Sequence, residues 1–533
     1  MKNSLIKGIL GLALATAAVM PATGRNPILP LWECIPDGEP YVFEDPDNPG
    51  KYRVYLYGSH DQDGKMYCGR NQVVWSAPVE NPNEWRYDGV IFENKTDAKD
   101  ALLNPDGTGD VLYAPDVAEK INPDGSKTYY LYPNVQGERN NLVAKSDRPD
   151  GPFTVCNWDP ENPKKCVGPF AFDPAAFVDE DGRAYGYWGF DHAYGCELDT
   201  ATMATVKPGT HVVTIVPGRN EDREFRFYEA SSIRKIKDKY VFVYSRWTND
   251  GEDGLPGSNY TLAYAWSNTP LGPWTYGGTI IDGRGIETRP DGSKIATAVP
   301  NGNTHGSICE INGKWYVFYH RQADTNEYCR QAMVAPIDVQ VFEGPDGFVK
   351  ISQAEFTCEG FETDGLDPAK NTPAGIACYF TSDPAPHQEY PNVIYPGSHS
   401  KVIRVDYDGK INPYDPSIDR CPMVNNTAGS VVGYKYFNFS KTYGKKNLKM
   451  ILDYIPDGTS GTMDIFLDRP SESEGGVKIG TLSIGSANKG KRQTATVQVN
   501  NLTHFNGKHA LFFVFNSPVK GKSICELESF RFK

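Results

Sequence analysis

Apolar and polar positions alternate in short runs along most of the chain, and polar turns interrupt them at close intervals. In "KYRVYLYGSHD", "KTYYLYPN", "RAYGYWGF", "KYVFVYSRW" and "KWYVFYHR" large residues stand at successive positions, as in a strand with two different packing faces. Each run follows a polar turn and a shorter strand-like segment, as in "VFEDPDNPGKYRVYLYGSHD", "DVAEKINPDGSKTYYLYPN", "AFVDEDGRAYGYWGFD", "SSIRKIKDKYVFVYSRW" and "GSICEINGKWYVFYHR". A second unit trails several of them: strand, Ser, Pro-rich turn, aromatic, strand, as in "VVWSAPVENPNEWRYDGVIF" and "LAYAWSNTPLGPWTYGGTII". Hairpin plus hairpin makes about four strands, repeated at roughly 60-residue spacing between residues 35 and 345. The pattern predicts a five-bladed β-propeller over 24–350, with an array of β-sandwiches as the alternative.

The pattern then changes. Residues 351–392 read as an irregular, Pro-rich linker ("NTPAGIACYFTSDPAPHQEYPN"). Over 393–533, segments such as "VVGYKYFNF", "LKMILDYI", "TMDIFLDR" and "HALFFVFNS" show no helical period and predict a β-sandwich of jelly-roll type. The predicted fold class is therefore all-β.

Residues 1–23 carry Lys2 and Lys7 ahead of an apolar stretch and then small residues, the pattern of a signal peptide. The expected location is periplasmic or secreted. No later run is apolar for long enough to span a bilayer, so no membrane association is expected after cleavage. Composition agrees with short strands and frequent turns: 52 Gly, 40 Pro and 31 Tyr in 533 residues. A formal net charge of −13 argues against nucleic acid and favours a neutral partner such as an oligo- or polysaccharide. The 11 cysteines include no Cys-x-x-Cys, which disfavours zinc. Cys156 and Cys166 bracket a polar loop and could form a disulfide, with free buried thiols the alternative. The oligomeric state is not legible.

Three acids stand just ahead of strand-like segments: Asp37 in "CIPDGEPYVF", Asp173 in "AFDPAAFVDEDG" and Glu229 in "FYEASSIRKI". Innermost strands of a propeller begin near its axis, so such acids would face one another in the central channel. Hydrolysis of a glycosidic bond needs two carboxyl groups of opposite protonation. A third carboxylate beside the acid raises its pKa, as does burial. The alternative is that all three are turn and strand-cap carboxylates.

With these segments in this order, the chain resembles glycoside hydrolase family 43. "NPILPLWECIPDGEP" looks like the family's opening segment, "YAPDV" like an element of blade two, and "FDPAAFVDEDGRAY" and "EASSIRKIKDKYVFVYS" like two acid-bearing segments. The resemblance covers about residues 26–345. It implies an inverting mechanism with Asp37 as general base, Asp173 as modulator and Glu229 as general acid. Gly38 and the "ASS" after Glu229 depart from the family's usual Pro and Gly-Pro at those places. The resemblance also implies that Arg330 points into the pocket and that His305 lies on the axis, where it helps hold calcium or waters. Trp188 and Phe43 are candidates for stacking on a sugar ring, with packing inside blades the alternative. "FNGKHALFFVFNSPVKGKSICELESFRFK" is similar to carbohydrate-binding modules of family 6, which implies a second structural calcium site.

The expected activity is that of an exported glycoside hydrolase, exo-acting on terminal furanose residues (α-L-arabinofuranoside or β-D-galactofuranoside) of polysaccharide side chains. No cofactor is expected for the chemistry. The alternatives are a β-xylosidase of the same family and a non-catalytic glycan-binding propeller.

Overall fold

The computed structural model describes residues 24–61, 67–94, 110–136, 141–162, 165–299, 302–324, 327–382, 401–402, 420–442, 444–445, 447–500 and 502–533. The leader expected over 1–23 lies outside them. Four antiparallel four-stranded sheets follow one another along the chain. Blade one comprises Glu39–Glu44, Tyr52–Tyr57, Asn71–Pro78 and Arg86–Glu93, and blade two Asp116–Ile121, Lys127–Tyr132, Ala144–Ser146 and Thr154–Val155. Blade three comprises Ala175–Val178, Ala184–Trp188, Tyr194–Leu198 and Val213–Thr214, and blade four Phe227–Ile236, Lys239–Arg246, Thr261–Ser267 and Thr275–Asp282. Blade five has three strands, Ser307–Ile311, Lys314–Gln322 and Arg330–Ile337. The chain start completes its outer edge: Ile28 N–H donates to Ala332 C=O at 3.1 Å. The Asn26 side chain donates to Val334 C=O at 2.7 Å and accepts from Val334 N–H at 2.9 Å. This docking joins the beginning of the ring to its end.

Both faces of each blade are buried against neighbours, which explains why large residues occupy successive positions in the strands. In the second strand of blade one, Val54 and Leu56 join a cluster with Phe318 and Val334 of blade five. Tyr55 and Tyr57 of the same strand join Tyr129 and Leu131 of blade two. Blade four divides in the same way, with Phe242 and Tyr244 toward blade three and Val241 and Val243 toward blade five. The hairpins that set this register are tight. Asn312 (φ 50°) and Gly313 (φ 76°) form a two-residue turn of the twist that antiparallel strands favour.

Two packed sheets follow. One contains Met423–Asn426, Cys525–Phe532, Lys449–Pro456 and Gln493–Gln498; the other contains Val431–Asn438, Lys508–Asn516, Gly461–Leu467 and Val477–Ile484. Phe530 fills the space between them, with its ring 5.1 Å from Phe513 and 4.8 Å from Tyr434. The stretch expected as an irregular linker does more than connect. Thr372–Pro373 pairs with Cys525–Phe532, and Tyr379–Thr381 pairs with Val431–Asn438. These strands are too short to leave a periodic signal. Residues 383–392 of the expected linker lie outside the described residues.

Propeller and sandwich share one core. Val243, Leu262 and Met333 of blades four and five cluster with Phe356, Ile376 and Phe380, and on to Phe437 and Phe513. Arg321 of blade five, fully buried, donates to the carbonyls of Ala377 (2.7 Å) and Gly375.

Among the described residues no cysteine is in a disulfide. Cys156 packs toward the blade two–three cluster and Cys166 toward the blade one–two cluster. No disulfide closes the loop between them.

Candidate active site

Asp37, Asp173 and Glu229 come together at one mouth of the propeller axis, and their charges act on one another. Local backbone sets each aim. Asp37 (φ 61°) and Asp173 (φ 48°) both take left-handed conformations just before the innermost strands of blades one and three. Glu229 lies inside the first strand of blade four, where the pairing shifts register between Glu229 and Ser232. Such a bulge re-aims the side chain at its head. Ala230, at φ 71°, donates its N–H to Asp173 Oδ2 at 3.0 Å. The "ASS" sequence therefore supplies a bulge that ties the acid's backbone to the neighbouring carboxylate.

Asp37 is 4% exposed and fully engaged. Ser59 Oγ donates to its Oδ2 at 2.5 Å, and Arg330 Nη1 lies 3.3 Å from Oδ1. Burial pushes the Asp37 carboxyl up, but the positive charges of Arg330 and His305, with the Ser59 hydrogen bond, hold it below the usual range. Arg330 is itself fixed by Asp61, with Nη2 2.9 Å from Oδ1 and Nε 3.0 Å from Oδ2. This is the fork-to-fork geometry for which guanidinium is suited. Beneath Asp37, His320 Nδ1 accepts from Asp37 N–H at 3.2 Å, and its Nε2 faces Asn303 C=O at 2.8 Å. Those partners define a neutral ring with the proton on Nε2, and burial pushes its pKa down to about 3.

Glu229 differs in every respect. No described residue donates a hydrogen bond to its carboxyl. Burial first, then the charges of Asp173 and Asp37, raises its pKa well above the usual range. Asp173 is raised too, by burial against the opposing pull of His305. Asp173 nevertheless accepts from Asn134 Nδ2 at 2.8 Å and from Ala230 N–H, donors that suit a carboxylate. Of this pair, the proton belongs on Glu229. The site therefore holds an ionised Asp37 opposite a protonated Glu229, with an ionised Asp173 beside the latter.

His305 stands between Glu39 and Asp173, with Nε2 3.5 Å from Glu39 Oε1 and Nδ1 3.6 Å from Asp173 Oδ2. Glu39 also takes Arg234 Nη2 at 2.9 Å and Ser232 Oγ at 3.1 Å. Calcium takes about six to eight oxygen ligands. Here a ring nitrogen and a guanidinium face the axial carboxylate, so these residues do not fit a calcium cage. Among the described residues, no group of three or more His, Cys, Asp and Glu side chains could hold a metal, in the propeller or in the sandwich. The expectation of calcium at His305 thus finds no ligand set among the described residues.

Two other expectations are corrected. Trp188 is buried with Phe170 and Tyr132 between blades two and three, and Phe43 is buried with Tyr129 between blades one and two. Neither presents a free ring face to a sugar. Among the described residues, Tyr67 lies against the Arg330 guanidinium, Phe172 and Tyr228 flank Asp173 and Glu229 in the chain, and Tyr113, Phe190 and Trp247 are in ring contact with these; none of the six is fully buried. Sequence reasoning also passed over Asp61, Asn134, His320 and Tyr67. Asp61 had a signal, since it ends the "YGSHD" segment at the inner end of a blade strand.

A propeller that gathers carboxyl groups of unlike protonation at one mouth has the equipment of a glycosidase. The Glycosyl hydrolases family 43 profile matches residues 80–341. Over 524 residues the chain is 32% identical to a xylosidase/arabinosidase of Thermoclostridium stercorarium, covering 95% of this chain and 98% of that one. It is 29% identical over 318 residues to xylosidase/arabinosidase 43A of Humicola insolens, covering 50% of this chain and 84% of that one. Among solved structures, a glycoside hydrolase family 43 arabinoxylan arabinofuranohydrolase from Bacillus subtilis in complex with cellotetraose aligns at 19% identity and a TM-score of 0.45, covering 96% of this chain and 98% of that one. The chain belongs to glycosyl hydrolases family 43. It is an enzyme that hydrolyses glycosidic bonds.

Proposed function

We propose that this enzyme removes single terminal arabinofuranosyl or xylosyl residues from plant-type polysaccharides by an inverting mechanism. The opposite protonation of Asp37 and Glu229 carries the reading. Asp37, held ionised by Arg330 and Ser59, takes a proton from a water that attacks the anomeric carbon. Glu229, held protonated by burial and by Asp173, gives its proton to the leaving oxygen. Asp173, fixed by Asn134 and the Ala230 N–H, keeps Glu229 protonated and oriented. None of these steps draws on a cofactor. Relatives named xylosidase/arabinosidase support the choice of sugars, and a more distant relative named β-D-galactofuranosidase keeps that furanose on the panel.

The test is sugar release by wild type and Glu229→Gln from aryl arabinofuranosides, xylosides and galactofuranosides, and from arabinoxylan and arabinan. Release of one monosaccharide by wild type, lost in Glu229→Gln, is the expected result. Glycan binding without release by well-folded wild type would instead favour a non-catalytic propeller.

A further inference from the structure

An aromatic ledge runs outward from beside Asp173 and Glu229. Phe172 and Tyr228 are the chain neighbours of Asp173 and Glu229. The Phe190 ring bridges them, 5.4 Å from Phe172 and 4.9 Å from Tyr228. Trp247 extends the row, 5.0 Å from Tyr228. The Arg219 guanidinium lies over both of the last two rings, at 5.0 Å and 4.8 Å.

The ledge is built, not incidental. Phe190 is 47% exposed, an uncommon position for a phenylalanine. Its loop is nonetheless fixed: Gly189 N–H donates to Phe172 C=O at 2.8 Å, and Asp191 N–H donates to Tyr228 C=O at 2.7 Å. Gly189 takes φ 150°, and a Cβ there would meet His192 O at 1.8 Å. Asp191 in turn holds Arg219, with Oδ1 2.8 Å from Nε. Two blades therefore pay out backbone hydrogen bonds and an ion pair to keep an apolar surface in water.

Its placement gives it a use. Glu229 is the group proposed to protonate the leaving oxygen, so the departing part of the substrate must lie beside it. We propose that Phe190, Tyr228 and Trp247, capped by Arg219, form the binding site for the leaving-group sugars, stacking on the apolar C–H faces of pyranose rings in a polysaccharide backbone. This inference rests on the glycosidase reading above. The enzyme then recognises a terminal sugar in the pocket and the chain that carries it on the ledge.

The experiment compares kcat/KM of wild type, Phe190→Ala and Trp247→Ala on two kinds of substrate. Arabinoxylan and xylotetraose place pyranose rings on the leaving side. α-L-Arabinofuranosyl fluoride and xylosyl fluoride leave only fluoride, which cannot reach the ledge. The loss on the carbohydrate substrates should exceed the loss on the fluorides by about tenfold, mostly through KM, and Phe190→Trp should restore it. Equal losses on both kinds, or an undiminished rate on the carbohydrates, would overturn the ledge while leaving the glycosidase reading intact. Silence of well-folded wild type on every substrate would overturn both.

Discussion

The Arg330 guanidinium spans two carboxylates, lying 2.9 Å from Asp61 and 3.3 Å from Asp37. Asp61 takes the fork of the guanidinium and leaves Nη1 for Asp37. The ionisation of the proposed base is therefore set by a residue two steps removed from the substrate.

From this arrangement Arg330→Lys should be far from conservative. A lysine keeps the charge but cannot grip Asp61 and reach Asp37 together. The acidic limb of the kcat/KM profile should move up by about one unit as Asp37 loses part of its stabilisation. The rate at its optimum should fall about 100-fold or more. An unmoved acidic limb in a folded variant would show that Arg330 does not set the ionisation of the base.

Glu229 gives a prediction of opposite sign. Its pKa is raised, so the folded protein binds this proton more tightly than the unfolded chain does. The stability this contributes is present below the ordinary glutamate pKa and is lost as the pH rises toward the folded value. Glu229→Gln should therefore be nearly inactive yet more stable than wild type at neutral pH, by about 1–3 kcal/mol. Thermal melts between acid and neutral pH should show the gap widening as the pH rises. A constant gap would mean that Glu229 is not held protonated.

Asn134→Asp tests the modulator. The substitution replaces the amide that donates to Asp173 Oδ1 with a second carboxylate. Crowding of negative charge should lower the rate about tenfold or more and shift the alkaline limb upward, because Glu229 then gives up its proton less readily. The pH profile distinguishes this outcome from simple misfolding, which would lower active enzyme without moving the limb.

The three acids were legible because each stands where a turn delivers the chain to an innermost strand. Their partners were not. Asp61, Asn134 and His320 come from inner ends of strands or from connections, where nothing in the local pattern separates a buried carboxylate from a turn residue. The ring-stacking candidates failed for a different reason. Every blade buries both faces, so alternation in "RAYGYWGF" marks two inter-blade cores and cannot single out a wet face. Trp188 went to one of those cores, while Phe190, two residues on, reached the mouth. Only the loop geometry at Gly189 separates them, and no sequence periodicity encodes it. The strands at Thr372–Pro373 and Tyr379–Thr381 were hidden by their brevity in a stretch rich in proline.

The shared core bears on how the enzyme can be dissected. Arg321 projects from blade five to the carbonyls of Gly375 and Ala377, and Phe380 N–H donates to Thr297 C=O at 2.6 Å. Lys435 of the sandwich, nearly fully buried, reaches back to Glu287 at 3.2 Å and Glu355 at 2.9 Å. Ending the chain near residue 350 would strip blades four and five of this cover, exposing Val243 and Met333 and leaving Arg321 with only Gln331 to accept from it, without the Gly375 and Ala377 carbonyls. The isolated propeller should therefore aggregate or melt well below the full chain. Arg321→Ala in the full chain, which leaves two buried carbonyls unpaired, should cost about 3–5 kcal/mol. If truncated propeller proved monomeric, as heat-stable as the full chain and equally active on an aryl glycoside, the sandwich would be an appended module and not part of the core that supports the active site.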